Sequence, residues 1–304
     1  MSNKIIVDVQ PRQTRVALME DRLLAEYYVE RPGKERLAGN IYEGRVENVL
    51  PGMEAAFVNI GLERNAFLYA GDVALNPDEF EFEDQPSQSP KVSHAIKDLV
   101  STGQELMVQV TKDPVGTKGA RITTHVTLPG RLMVLMPTVD YVGVSRRIVD
   151  EEERTRLKAQ VDALRPAGMG VIVRTACREA DLEDMRAELE SLERIWRQIL
   201  ALSKHTRAPA RLYCDSDLLL RAVRDLMNEE VSEFIVNDPE AFQRARDLAE
   251  KICPQFVDRF RLFTEGYDVF DYYNLEEKVD KSFSRRVWLK SGGYLIIDHT
   301  EALT

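Results

Sequence analysis

Residues 40–68 constrain the fold more than any other part of the chain. They contain three short runs rich in β-branched and aromatic residues, separated by Pro51-Gly52 and by the segment from Gly61 to Asn65. Such runs with turn residues between them predict three consecutive antiparallel strands. Phe57 and Phe67 fall on the second and third strands, so we expect their rings to lie side by side.

The bulk composition predicts a globular protein with more than one core. The chain has 304 residues, of which 44% are hydrophobic and 30% charged, enough for two or three modest domains. No apolar run approaches the roughly 20 residues that cross a bilayer, and no signal peptide is recognisable, so we expect a cytoplasmic protein. Cys177, Cys214 and Cys253 form no Cys-x-x-Cys pair, which predicts reduced thiols rather than a disulfide framework or a zinc site.

The net charge of −10 argues at first against a nucleic-acid partner, because phosphate neutralisation supplies much of the affinity for one. The charge is unevenly distributed, however. Residues 36–125 hold 8 basic and 13 acidic residues, and five of the acids fall within 78–84. The segment 76–90 is rich in proline and serine and is expected to form an exposed loop. Without the five acids that this segment contains, the remainder of residues 36–125 is neutral.

The order of patterns predicts an α+β multidomain protein. Residues 1–37 read as three strands without helices, while 210–278 alternate short strands and helices, so the two parts are expected to form one discontinuous domain. Between them, strands at 105–110 and 120–126 would close a barrel. A second unit follows, with strands at 132–136 and 170–175, a helix that Asp150 and Glu153 open as a capping box, and a long helix through Leu202 carrying an apolar stripe.

The phrase formed by residues 54–68 resembles the S1-type OB-fold, and more narrowly the one found in the ribonuclease E/G family of bacterial endoribonucleases. The resemblance extends over nearly the whole chain. It implies a split RNase H-like domain (1–37 and 210–278), an S1-type OB-fold (38–126), a 5′-sensor region (127–209) and the first hairpin of a DNase I-like catalytic domain (279–304). Because the RNase H-like domain of the family is structural, Asp8 is expected to be a turn or surface residue.

The resemblance implies that Phe57, Phe67, Lys112 and Lys118 bind single-stranded RNA. Exposed rings on neighbouring strands can stack bases with little sequence demand, and lysines on a hairpin at the rim can contact phosphates. The alternative is that both phenylalanines are buried in the barrel, where most strand phenylalanines lie, and that the lysines are ordinary surface residues.

A second set of residues matches the family's pocket for a 5′-monophosphate: Gly130, Val134, Arg146, Arg174 and Thr175. A terminal phosphate carries more charge than an internal one, and a guanidinium beside a hydroxyl can bind several of its oxygens. Backbone amides near Gly130 and Val134 would supply further donors. Alternatively, Arg146 and Arg147 only solvate a loop, and Arg174 pairs with Glu179 or Asp181.

Residues 285–304 predict a hairpin around Gly292-Gly293 that resembles the start of the family's catalytic domain. In the family, two carboxylates further along hold Mg²⁺, followed by a cysteine pair that links subunits through zinc. The chain ends before all of these, so Mg²⁺ and a homo-oligomer are expected for the complete enzyme only, and no bound metal is predicted for this chain. Asp298, His299 and Glu301 are not expected to form a metal site, since Asp298 and Glu301 would lie on opposite faces of a strand.

The leading hypothesis is therefore the N-terminal portion of a Mg²⁺-dependent endoribonuclease of RNA processing and decay. This polypeptide is expected to bind single-stranded RNA, to prefer a 5′-monophosphate and not to cleave. The alternative is a non-catalytic S1-type RNA-binding factor of translation or ribosome maturation. An α/β enzyme acting on small molecules has little support, because the chain shows neither a Gly-rich phosphate loop nor a nucleophile elbow.

Overall fold

The computed structural model describes residues 3–33, 36–73, 95–215, 217–289 and 291–298. It is a mixed α+β structure that divides into two compact units, one formed by residues 1–35 with 216–304 and the other by residues 36–215. The segment 76–90, expected to be a loop, and the residues His299 and Glu301 lie outside the described residues. The finer division into five domains stays a prediction.

The bounds of the strands and α-helices in the described ranges are as follows. In chain order the strands are β1 (Asn3–Gln10), β2 (Gln13–Glu20), β3 (Leu23–Glu30), β4 (Ile41–Leu50), β5 (Ala55–Asn59), β6 (Ala66–Tyr69), β7 (Glu105–Lys112), β8 (Arg121–Thr123), β9 (Leu128–Pro129), β10 (Met133–Met136), β11 (Val142–Val144), β12 (Gly170–Val173), β13 (Ala210–Tyr213), β14 (Val231–Val236), β15 (Phe260–Leu262), β16 (Arg286–Trp288) and β17 (Tyr294–Ile296). The helices are α1 (Ile96–Leu99), α2 (Glu151–Leu164), α3 (Leu182–Ser203), α4 (Leu218–Leu226), α5 (Pro239–Ile252), α6 (Val269–Tyr272) and α7 (Leu275–Ser282).

The first unit is built on a five-stranded sheet in the order β15-β14-β1-β2-β3. The three early strands form an antiparallel meander, and β14 and β15 extend it in parallel. Because side chains alternate between the faces of a strand, Ile5 and Val7 join one buried cluster with α4 and α5, while Ile6 joins another with α6 and α7. The later helices thus cover the early strands on both faces.

The structure contradicts the expectation that Asp8 is a turn or surface residue. Its side chain is fully buried and lies 2.6 Å from Arg15, which is itself nearly buried. Asn237 donates to the other carboxylate oxygen at 2.7 Å, and Arg15 also binds Glu276 at 2.6 Å. The prediction was wrong because Asp8 and Arg15 are direct partners across the β1–β2 hairpin, and such pairing allows a charge to be buried.

The second unit contains a closed five-stranded barrel. Its strands pair in the order β4-β5-β6-β8-β7, and β7 pairs back onto β4, so the predicted consecutive antiparallel strands and the barrel closure are confirmed. The interior is filled by small and branched side chains, among them Val46, Val58, Leu68, Val110 and Ile122.

Strand β13 differs from the expectation that residues from 210 onwards belong to the discontinuous domain. It pairs with the beginning of β4 and therefore belongs to the second unit, which runs to Asp215. Sequence periodicity identified the strand but not its partner.

The rest of the second unit is a four-stranded sheet in the order β11-β12-β10-β9, packed against α2 and α3. Asp150 caps α2 by accepting bonds from the amides of Glu152 and Glu153, which confirms the predicted helix start. The predicted apolar stripe of α3 is buried at Met185, Leu189, Leu192, Trp196 and Ile199, although Leu182 at its start is exposed.

The C-terminal hairpin is present as β16 and β17. Arg285 and Asp298 join its two ends through bonds of 2.5 and 2.9 Å. Cys177 and Cys253 are buried and Cys214 is exposed, all three as free thiols. No helix in the described part of the chain has the length and apolarity to span a membrane.

Candidate functional site

A single row of outward-facing side chains crosses all five strands of the barrel. Backbone register makes Asn48 the partner of Phe57, Phe57 the partner of Phe67, and Phe67 the partner of Arg121. Arg121 is in turn the partner of Lys112. We call Asn48, Phe57, Phe67, Arg121 and Lys112 the outer row. It places two rings in its middle and two cations at one end.

Phe57 and Phe67 are half-exposed, and their ring centroids lie 5.9 Å apart at an interplanar angle of 74°. Their strand neighbours Ala56, Val58 and Leu68 are buried in the barrel. Because alternate residues of a strand point to opposite faces, the two rings lie on the outside. The alternative of burial inside the barrel does not describe this structure.

Arg121 was missed by the sequence analysis. Its guanidinium binds both carboxylate oxygens of Asp72, at 2.9 and 3.2 Å, and the side chain remains 43% exposed. Arg121 neighbours Phe67 because β6 and β8 pair in parallel. No local sequence pattern indicates a parallel pair between strands so far apart in the chain. Periodicity alone therefore could not identify Arg121 as a neighbour of Phe67.

Lys112, the last residue of β7, and Lys118, on the hairpin that connects β7 to β8, are both exposed. The carboxylate of Asp113 fixes the base of this hairpin by accepting bonds from the amides of Leu37 at 2.7 Å and Ala38 at 3.0 Å. Lys118 forms an isolated bridge with Val115. Only Lys112 belongs to the outer row.

The residues that resemble a 5′-phosphate pocket converge on the sheet of β9 to β12. Arg174, just after β12, donates from Nη1 to the Gly130 carbonyl at 2.6 Å. The hydroxyls of Thr175 and Ser145 lie 3.4 Å apart, and the exposed Arg146 follows Ser145. The structure thus brings together three segments that are distant in the chain.

Val134 completes this surface. It pairs with Ile172 across β10 and β12, and both side chains are half-buried. Ile172 lies two residues before Arg174, so Val134 shares a sheet face with the arginine.

The backbone amides of residues 130–133, some of those expected to offer donors, are already engaged within the protein. The Gly130 amide donates to the Met133 carbonyl at 2.8 Å. The amides of Arg131, Leu132 and Met133 all donate to the carboxylate of Glu188, at 2.7 to 3.1 Å. Burial raises the pKa of Glu188, while these amide bonds act in the opposite direction. The Gly130 carbonyl, by contrast, accepts from the guanidinium of Arg174.

One group of carboxylates in the described part of the chain has the spacing of a metal site: Asp268, Asp271 and Glu276, whose oxygens lie within 4.8 Å of one another. Asp268 caps α6 by accepting from the amides of Phe270 and Asp271. Glu276 is bound to Arg15 at 2.6 Å. These contacts account for two of the three carboxylates without a metal ion.

Comparison with known proteins identifies relatives along the whole chain. The model of the "Ribonuclease E/G family" matches residues 127–304. The chain is 40% identical to ribonuclease G of Haemophilus influenzae over 301 residues, which is 99% of this chain and 61% of that protein. It is 38% identical to ribonuclease G of Escherichia coli K12, covering 100% of this chain and 62% of that protein. Ribonuclease E of Haemophilus influenzae is 36% identical, covering 100% of this chain and 32% of that protein.

Proposed function

Because this chain belongs to the ribonuclease E/G family, we propose that it binds single-stranded RNA along the outer row of its barrel, within an endoribonuclease of RNA processing. The observation that carries the proposal is the outward placement of Phe57 and Phe67 in register with Arg121 and Lys112. A stand-alone barrel factor of translation would not account for the family match over residues 127–304.

The chemistry of the outer row suits an unpaired strand. An aromatic ring binds a base through roughly 1–3 kcal/mol of stacking, whichever base it is. Two rings with centroids 5.9 Å apart present separate faces, so adjacent bases can stack on them. Arg121 and Lys112 lie beside the rings and can contact the backbone phosphates, which makes binding dependent on salt. Lys112 and Arg121 provide local positive charge beside the rings in a chain of negative net charge, although Asp72 is bound to Arg121.

We further propose that Gly130, Val134, Arg146, Arg174 and Thr175 recognise a 5′-monophosphate. The Gly130 carbonyl holds one nitrogen of the Arg174 guanidinium, which orients the group before any ligand arrives. A guanidinium held in this way loses little conformational entropy when it binds a phosphate. The hydroxyl of Thr175 lies on the next residue and can donate to another phosphate oxygen.

Magnesium-dependent hydrolysis and assembly into a homo-oligomer are proposals for the whole protein. The chain spans 61–62% of the length of the ribonuclease G relatives. The residues to which the family resemblance assigns the metal are not among those described.

The RNA-binding proposal is tested by fluorescence anisotropy with a labelled single-stranded oligoribonucleotide at low salt. Phe57→Ala and Phe67→Ala should each weaken binding by roughly 1–3 kcal/mol, because each removes a stacking surface. Tyr28→Ala is the matched control, since Tyr28 is a partly exposed aromatic residue on β3 of the first unit. Unchanged affinity in both phenylalanine variants would refute the proposal.

The 5′-end proposal is tested with the same RNA carrying a 5′-monophosphate or a 5′-hydroxyl. Arg174→Ala should weaken binding of the monophosphorylated form by roughly 1–3 kcal/mol and leave the hydroxyl form nearly unchanged. An equal loss for both forms would assign Arg174 to folding instead.

A further inference from the structure

Glu188 on helix α3 reaches the turn that joins β9 to β10. Its Oε1 accepts from the amides of Arg131 at 2.7 Å and Leu132 at 3.1 Å. Its Oε2 accepts from the amides of Leu132 and Met133, both at 2.9 Å. Three successive backbone N–H groups therefore converge on one carboxylate, which is the geometry of a backbone anion nest. The anion in this nest belongs to the protein itself.

The turn fits closely around this carboxylate. A Cβ atom at Gly130 would lie 2.7 Å from the carboxyl carbon of Glu188, so a side chain at position 130 would push Glu188 away. On its other side the turn offers the Gly130 carbonyl to the guanidinium of Arg174. Glu188 and Arg174 thus hold the same short turn from opposite ends of residues 130–133, one through its amides and the other through a carbonyl.

We propose that Glu188 is a positioning residue for recognition of the RNA 5′ end. By binding the three amides it fixes the turn in the conformation in which the Gly130 carbonyl orients Arg174 toward a terminal phosphate. Glu188 itself does not contact the RNA. This inference rests on the proposed 5′-monophosphate recognition and adds the residue that sets the geometry of that pocket.

Removal of the carboxylate charge has a specific expected effect. In Glu188→Gln the side-chain amide nitrogen would face backbone N–H donors, so the nest would lose about half of its acceptor capacity. The turn would then be free to move, and Arg174 would lose its fixed orientation. The resulting defect should concern the end group of the RNA, because the outer row of the barrel is untouched.

The experiment measures the dissociation constants of the 304-residue protein for one oligoribonucleotide carrying either a 5′-monophosphate or a 5′-hydroxyl. We expect Glu188→Gln to reduce the preference for the monophosphate by roughly tenfold or more, as for loss of a hydrogen bond to a charged group. Glu188→Asp, which keeps the charge, should retain more of the preference. Glu190→Gln, an exposed residue of the same helix, is the control and should leave the preference unchanged.

Several outcomes would overturn the inference. An equal loss of affinity for both RNA ends in Glu188→Gln would show that Glu188 serves folding alone. A preserved preference in Glu188→Gln, together with a lost preference in Arg174→Ala, would refute the role of Glu188 but leave the proposed function intact. Absence of any preference in the unmodified protein would refute the proposed 5′-end recognition itself. If Glu188→Gln does not fold, Glu188→Asp carries the test: its shorter side chain cannot reach all three amides, so a partial loss of the monophosphate preference supports the role of Glu188 and an unchanged preference refutes it.

Discussion

Gly119 lies against Asn65 so closely that a Cβ atom at position 119 would stand 2.1 Å from the Asn65 carbonyl oxygen. Through this contact, the hairpin next to Lys112 and Lys118 packs against the start of β6. Next to it, the amide of Phe67 donates to the Ala120 carbonyl at 2.7 Å. The distance between the basic hairpin and the ring of Phe67 is therefore set by backbone contact, for which only glycine leaves room.

Gly119→Ala should destabilise the barrel by roughly 1–3 kcal/mol, the usual cost of forcing extra volume into a packed site. RNA affinity should fall with it, since Lys112 and Phe67 would move apart. Urea unfolding followed by circular dichroism measures the first effect and RNA titration the second. Gly52→Ala is the control, because a Cβ there meets no atom within 4 Å. Equal stability of the two variants would contradict the prediction.

Asp72 should restrain RNA binding by competing with phosphate for Arg121. Asp72→Asn removes the competing charge and should strengthen RNA binding at low salt. Arg121→Ala should weaken binding and lower the slope of log affinity against log salt by about 1, as for loss of one phosphate contact. Titrations at several salt concentrations measure both effects.

The control for Arg121→Ala is Arg197→Ala. Arg197 lies on α3 and is likewise exposed and paired with a carboxylate, that of Glu193 at 2.5 Å. An identical change of slope in the two variants would mean that Arg121 acts only through the overall charge of the protein.

The buried pair of Asp8 and Arg15 predicts strong energetic coupling. Replacing one partner, as in Arg15→Met, should cost roughly 3–5 kcal/mol of unfolding free energy, because a buried charge then has no counterion. The double variant Asp8→Leu with Arg15→Met should lose much less than the sum of the single losses. A double-mutant cycle in urea measures this difference, and additive losses would contradict the coupling.

The burial of His125 leads us to predict that the stability of the barrel depends on pH. Burial lowers the pKa of His125 below its ordinary value of 6.5, although the nearby Asp72 acts in the opposite direction. Below pH 6.5 the unfolded chain therefore takes up a proton that the folded protein resists, so the unfolding free energy falls as the pH decreases. Unfolding curves between about pH 5 and pH 8 measure the slope. His125→Gln should flatten it, and an unchanged slope would refute the assignment.

Much of the local structure could be predicted from the sequence because it depends on neighbouring residues. The alternation of β1 to β6, the cap at Asp150 and the stripe from Met185 to Ile199 are all properties of short segments. Arg121 could not be found in this way, because its place beside Phe67 depends on a parallel strand pair that forms only when the barrel closes.

Asp8 and Glu188 show a second limit of structure prediction from the sequence. Both are acidic residues that are held by specific partners within the protein. The partner of Asp8 could have been predicted from the sequence, since the turn at 11–12 places Arg15 directly opposite Asp8 on the neighbouring strand. The partners of Glu188 are backbone amides 55 to 57 residues away, and no residue type signals them.

The two ends of the second unit meet. The Asp215 amide donates to the side chain of Asn40 at 2.9 Å, and β13 lies beside the first residues of β4. Residues 36–215 therefore form a unit whose first and last residues lie side by side. Such a unit could be inserted into a host chain, or removed from it, at a single point on the surface of the host. On this geometry, residues 36–215 could be transferred between proteins as one piece, and the proposed binding of RNA would be transferred with them.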